Sequence, residues 1–178
     1  TQADIDARVE GRTVAREFLD TLATSADRPA LRWQVGDDRW DTMTFGELAD
    51  KAARAAGGLR GLGVQPGDRV VLMMRNIPEF HWLDLAVLLC GATPVYIYNS
   101  SAPEQVAYLA GHCGASVAVV ENEGFLEKFL KVREELPDLR SIVTLVASHD
   151  LPEGVHHHQV LTEAEPVDLA EAAAVGSP

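Results

Sequence analysis

Short apolar runs alternate with longer amphipathic stretches along most of this chain. Residues 70–74 are continuously apolar, the pattern of a strand buried on both faces. Phe80, Leu83, Ala86, Val87 and Cys90 then mark the buried side of a helix, with Asn76 as its cap, Pro78 in its first turn and Gly91 as its stop. Residues 93–98 predict a second strand. Ser101, Pro103 and Glu104 predict a second capping box, followed by an apolar face of Val106, Leu109, Ala110 and Cys113 and a stop at Gly114. A third strand is expected over 116–120, a helix over about 123–136 with Phe125, Leu126, Phe129 and Leu136 inward, and a fourth strand over 142–146. The strand starts, near 70, 93, 116 and 142, recur every 23 to 26 residues. Helices set between short apolar strands are the mark of parallel βαβ crossovers. The expected fold is therefore α/β, a layered, mostly parallel, doubly wound sheet with flanking helices.

The N-terminal part follows other periods. Val14, Phe18, Leu19 and Leu22 predict an amphipathic helix over 13–24, ended by Pro29. Residues 31–35 and 39–43 read as a β-hairpin about a turn at 36–38, with Trp33 and Trp40 as cross-strand partners. Thr44 and Glu47 then form a capping box. Leu48, Ala52, Ala55, Leu59 and Leu62 line one face of a long helix whose many alanines and two glycines imply close approach by another element. Gly61, Gly63 and the turn at 66–68 close it. After residue 147 the pattern decays, and only 169–175 reads as a weak helix. The chain divides into an α/β subdomain over 1–147 and an acidic connector over 148–178 ending in Gly176, Ser177 and Pro178.

Charge narrows the function classes. The net charge is −12, from 27 acidic and 15 basic residues, which argues against a nucleic-acid-binding surface and against attraction to anionic membranes. The longest apolar stretch, 85–92, is far shorter than the ~20 residues of a membrane helix. No transmembrane segment and no signal pattern is expected, and the parent protein reads as cytoplasmic, with peripheral membrane contact left open. The chain begins without Met, so residues are expected upstream. Cys90 and Cys113 lie in apolar, helix-like contexts and read as reduced and structural.

Candidate chemistry is sparse. Gly61-Leu62-Gly63 follows a helix rather than opening one, so it reads as a C-cap and not a phosphate cradle. His156, His157 and His158 read as a solvated loop, because adjacent side chains diverge and no companion ligand stands at a zinc spacing. His81 and His112 sit on helices without a visible nucleophile or acid partner. Tyr96, Tyr98, Asn99, Ser100 and Ser101 follow a buried strand, where open α/β sheets gather ligands, and form the most site-like location. The plainer reading has Asn99 and the serines making turn and cap while the tyrosines pack. Arg75 also follows a strand, and an ion pair with a carboxylate is its expected role. No catalytic, cofactor-binding or metal residue is assigned.

Several segments together resemble the opening third of the adenylate-forming superfamily, which includes acyl-CoA synthetases, amino-acid adenylation domains and luciferases. Thr44-Phe-Gly-Glu-Leu48 resembles its early helix start. Leu59-Arg-Gly-Leu-Gly-Val-Gln-Pro-Gly-Asp-Arg-Val70 resembles its helix-to-strand turn, and Asn76-Ile-Pro-Glu79 with Gly91-Ala92 its next unit. The resemblance covers about residues 13–147. Tyr98-Asn-Ser-Ser-Ala-Pro-Glu-Gln105 looks most like bacterial long-chain fatty acyl-CoA synthetases. The resemblance implies ATP-dependent, magnesium-dependent adenylation of a fatty acid and transfer of the acyl group to CoA in a full-length enzyme. The family's phosphate loop and later catalytic residues match nothing here, and 148–178 leads toward the region where that loop belongs. The fragment alone is expected to be inactive, to bind no cofactor, to partner with the rest of its own polypeptide, and to self-associate through apolar surface left uncovered. The competing reading is a stand-alone α/β module that binds a small molecule near Tyr98 to Ser101 or a partner protein.

Overall fold

The computed structural model describes residues 1–2, 4, 9–146 and 150–175. Helix α1 spans Val14–Ser25, and the Thr13 hydroxyl at its N-cap accepts from the Arg16 N–H at 3.2 Å. Strands β1, Pro29–Gln34, and β2, Trp40–Thr44, form the antiparallel hairpin. Pro29 therefore opens β1, at the edge position a proline tolerates. The two tryptophans are not partners: Trp33 pairs with Asp41, and Trp40 pairs with Gln34. Neighbouring pairs point to opposite faces, so Trp33 packs on the core while Trp40 stays outside under the Arg32 guanidinium, 5.1 Å from its ring.

Helix α2, Phe45–Gly61, starts at the expected capping box. The Thr44 hydroxyl accepts from the Glu47 N–H at 3.2 Å, and Glu47 accepts from the Thr44 N–H at 2.8 Å. There follow β3, Arg69–Met73; α3, Pro78–Leu89; β4, Thr93–Tyr96; α4, Pro103–Cys113; β5, Val117–Val120; α5, Glu123–Lys131; and β6, Ser141–Thr144. The strands begin at 69, 93, 117 and 141, each 24 residues after the last. The third of these helices stops at Lys131 instead of 136, and a 3-10 turn, Arg133–Glu135, carries the chain on. Leu136 reaches the core regardless, at 3% exposure.

Both later caps are shifted by one residue. Pro78 and Pro103 stand at the first helical position, so the caps are Ile77 and Ala102. A residue before proline is held extended, which is the conformation a cap needs. Asn76 is therefore not the cap of α3, and Ser101 is not the cap of α4. Gln105 supplies one half of a capping box by accepting from the Ala102 N–H at 2.9 Å.

The sheet is five-stranded and parallel, in the order β4-β3-β5-β6-β7, where β7 is Val155–His157. Val70, Leu72, Val117, Val119 and Val143 face the layer of α2 and α3. Val71, Met73, Ala118, Val120 and Ile142 face the layer of α4 and α5. This alternation places one apolar core on each face, which is why the strands read as unbroken apolar runs. Strand β7 corrects the solvated-loop reading of the histidines. Thr144 pairs with His157, and the His158 N–H donates to the Thr144 carbonyl at 3.0 Å.

Short helices α6, Gln159–Thr162, and α7, Leu169–Val175, follow. They identify the element that the small residues of α2 admit. A Cβ on Gly57 would overlap the Glu165 carbonyl oxygen, and one on Gly58 would overlap the Val160 carbonyl oxygen. Leu161 is fully buried against that face, and the Val167 N–H donates to the Ala53 carbonyl at 3.1 Å. The expected division between 147 and 148 and the terminal Gly176, Ser177 and Pro178 lie outside the described residues. Among the described residues no helix is long and apolar enough to cross a membrane.

Candidate functional site

In an open parallel sheet the carboxyl ends of the strands all face one way, and a crevice opens where successive connections leave to opposite faces. Here β3 leads to α3 on one face, and its neighbour β5 leads to α5 on the other. An ion pair fills that point. Glu121, the first residue after β5, has a side chain only 8% exposed, and Arg75 beside it is 66% exposed. The Arg75 backbone N–H donates to Glu121 Oε2 at 2.7 Å, its Nε donates to Oε1 at 2.7 Å, and its Nη2 reaches the same oxygen. Burial pushes the Glu121 carboxyl up, but the hydrogen bonds and charge of Arg75 outweigh it and hold the group below the usual carboxylate range. The sequence foresaw a carboxylate partner for Arg75. It did not identify Glu121, whose only signal is its place at the end of a buried strand.

Beside this pair, a cleft of ≈ 310 Å³ opens between the ends of β3 and β4. Leu72, Met74 and Ile97 form its floor, and Phe80, Tyr96 and Tyr98 line it with rings. The Phe80 and Tyr96 centroids lie 5.3 Å apart at a tilt of 43°. The Tyr96 hydroxyl donates to Asp84 Oδ1 at 2.6 Å, tying β4 to α3. Burial first, then the hydrogen bond and charge of Asp84, push this phenol far up, so it stays protonated. Asn76, Asn99 and Arg75 form the polar part of the lining.

The site-like stretch of the sequence thus divides. Tyr96, Tyr98 and Asn99 line the cleft, while Ser100 lies exposed beyond it and Ser101 is buried. Lys128 on α5 pins this loop, donating from Nζ to the Asn99 carbonyl at 2.8 Å and to the Ser101 carbonyl at 2.7 Å. The turn residues therefore set the loop, while the tyrosines divide: Tyr96 packs against Phe80, and Tyr98 stays open at 84% exposure.

The remaining candidates lie elsewhere. Gly61-Leu62-Gly63 does end α2: the Leu62 N–H donates to the Gly58 carbonyl, and Gly63 takes φ 85°. His81 sets its ring edge-on to Phe80 at 5.6 Å, and His112 stacks on Tyr108 at 5.6 Å. His158 lines a second cleft of ≈ 390 Å³ with Lys51, Trp82 and Glu121, on the α2 and α3 side of the sheet. The Nδ1 atoms of His157 and His158 are buried with no hydrogen-bond partner among the described residues. Among the described residues no three His, Cys, Asp or Glu gather in a metal-holding group. Both cysteines are free thiols, and burial pushes Cys90 up to about 11. The arrangement at the strand ends can bind and orient. Its acid is ionised and engaged, and its phenol is protonated and engaged, so neither is poised to move a proton.

Comparison with known proteins places this geometry in context. A family model described as AMP-binding enzyme matches residues 18–175. The long-chain-fatty-acid–CoA ligase heimdall of Drosophila melanogaster is 30% identical over 140 residues, 77% of this chain and 21% of that protein. The uncharacterized protein Rv1549 of Mycobacterium tuberculosis is 38% identical over 111 residues, 62% of either chain. Among solved structures, the acetoacetyl-CoA synthetase from Streptomyces lividans superposes with a TM-score of 0.73 at 27% identity, covering 86% of this chain and 25% of that one. The chain thus spans 21% of the length of the fatty-acid ligase and 25% of the synthetase.

Proposed function

The chain belongs to the AMP-binding enzyme family, and from that premise we propose that it is the N-terminal part of an adenylate-forming acyl-CoA ligase that acts on long-chain fatty acids. In this reading the whole enzyme joins a carboxylate to AMP from ATP, with magnesium, and passes the acyl group to CoA. Residues 1–147 are its N-terminal α/β subdomain, and 148–178 lead on toward the rest of the polypeptide, which is the chain's first partner. The parent is a cytoplasmic enzyme that meets membranes only peripherally. The observation that carries the reading is the family match over 18–175 by a chain spanning 21% of a long-chain-fatty-acid–CoA ligase.

In the same reading the fragment is inactive alone, and ATP, magnesium and CoA are held by residues outside it. Phosphoryl chemistry needs free cations and oriented donors where charge develops. The guanidinium at the strand ends, Arg75, is already neutralised by Glu121. Calorimetric titration of the folded chain with ATP–Mg, together with an ATP–pyrophosphate exchange assay using palmitate, tests this. No saturable heat and no exchange are expected. Stoichiometric ATP–Mg binding or measurable exchange overturns it. A second reading, a stand-alone α/β binding or interaction module, draws support from Rv1549, a relative of comparable length that shares 62% of its own span with this chain.

A further inference from the structure

The cleft between the ends of β3 and β4 has features that the ligase reading does not use. We propose that it is a binding site for a neutral, planar aromatic amide. The proposal goes beyond the ligase reading and does not depend on it.

Three observations define the ligand. The first is the apolar lining: Leu72, Met74 and Ile97 beneath, with the tilted rings of Phe80 and Tyr96 and the open ring of Tyr98. Such walls favour a flat aromatic body, which stacks or meets ring edges at little entropic cost. A volume of ≈ 310 Å³ fits one or two rings. The second is the polar lining. The carboxamides of Asn76 and Asn99 are exposed and make no protein hydrogen bond among the described residues, so each can offer a donor and an acceptor to a ligand. An amide is their complement. The third is charge. Lys128 at the Asn99 carbonyl is matched by Asp84 at the Tyr96 hydroxyl, and the cation that lines the cleft, Arg75, is compensated by the ionised Glu121 on a chain of net charge −12. Its Nη1 remains a free donor for a carbonyl oxygen, while an anion meets no net positive field. The site is also preorganised. Lys128 fixes the Asn99 and Ser101 carbonyls, and Asp84 fixes Tyr96.

The test is a ¹H–¹⁵N NMR titration of the chain with benzamide, with benzoate as its charged isostere and with cyclohexanecarboxamide as its non-planar analogue. Benzamide is expected to shift Asn76, Tyr98 and Asn99 saturably. Benzoate and cyclohexanecarboxamide are expected to bind about tenfold more weakly, the worth of one lost polar or stacking contact. Tyr98→Ala, at a side chain already exposed, is expected to weaken benzamide by a similar factor without unfolding the chain. Tyr108→Ala, on α4, is expected to leave it unchanged. Absence of saturable shifts, equal binding of benzamide and benzoate, or an unaffected Tyr98→Ala variant overturns the proposal. None of these outcomes bears on ATP–Mg, so the ligase reading stands or falls separately.

Discussion

Arg75 and Glu121 face each other across the ends of β3 and β5, and their unequal burial decides what each contributes. The Glu121 side chain is 8% exposed and that of Arg75 is 66% exposed. Removing the carboxylate leaves a guanidinium that water can still hydrate. Removing the guanidinium leaves a buried charge with the Arg75 and neighbouring backbone as its remaining support, which is the costlier loss. The folded carboxyl lies below its ordinary value of 4.5. Its contribution is therefore fully present above that value and is lost as pH falls through the lowered one. Glu121→Gln should lower the midpoint of thermal unfolding at neutral pH and, as pH is taken down from neutral, flatten the decline that sets in below 4.5. Arg75→Met should cost more than Glu121→Gln at neutral pH, and its deficit should shrink as the stranded carboxylate becomes protonated. Thermal melts across this range check both, and equal losses for the two variants at every pH would contradict the account.

At the scale of elements, α2 shows how small residues act through what they admit. Glycine inside a helix costs about 1 kcal/mol relative to alanine, so propensity alone favours replacing every glycine on this helix. Tertiary contact reverses that at Gly58, where a Cβ would meet the Val160 carbonyl and lie 2.7 Å from the Leu161 Cα. Gly58→Ala should destabilise the fold by about 2 kcal/mol through forced separation of α2 and α6. Gly61→Ala, where nothing lies within 4 Å, should be neutral or stabilise by up to about 1 kcal/mol. Urea denaturation of the two variants gives the comparison, and a stabilised Gly58→Ala would mean that 159–165 does not rest on α2. The alanines and glycines of α2 made a close neighbour legible in advance. Its identity was not, because residues 155–162 carry histidine and glutamine where a pairing strand and a packed helix are expected to be apolar.

For the molecule as a whole, apolar surface and net charge oppose each other. Tyr108 and Leu109 lie exposed on α4, at 67% and 38%. A net charge of −12 keeps copies apart at low ionic strength. We propose that the isolated chain self-associates through such faces once salt screens the repulsion. Strand pairing is the poorer route, since Pro94 sits in the edge strand β4. Thr93 donates inward to the Asp68 carbonyl just before β3 and Ile97 to the Leu72 carbonyl within it, so the backbone of position 94 faces outward and offers no N–H. Sedimentation velocity should show a mass that rises with protein concentration, and more steeply in about 0.5 M salt, where the screening length is only a few ångströms. A monomer at every concentration and salt would remove this proposal.

Period and punctuation were enough to determine the βαβ units. A strand buried on both faces is apolar at every position, and α3 and α4 are bounded by proline and glycine, so the order of the units and their spacing of 23 to 26 residues are local properties of the chain. The capping box at Thr44 is local for the same reason. Only the tertiary structure decided which strands are neighbours, which side chains meet at their ends, and which cap the prolines displaced. The order β4-β3-β5-β6-β7 sets Arg75 against Glu121, 46 residues away, and Tyr96 and Tyr98 beside Phe80. Such pairings depend on crossover direction and sheet twist, quantities that no local window of residues contains.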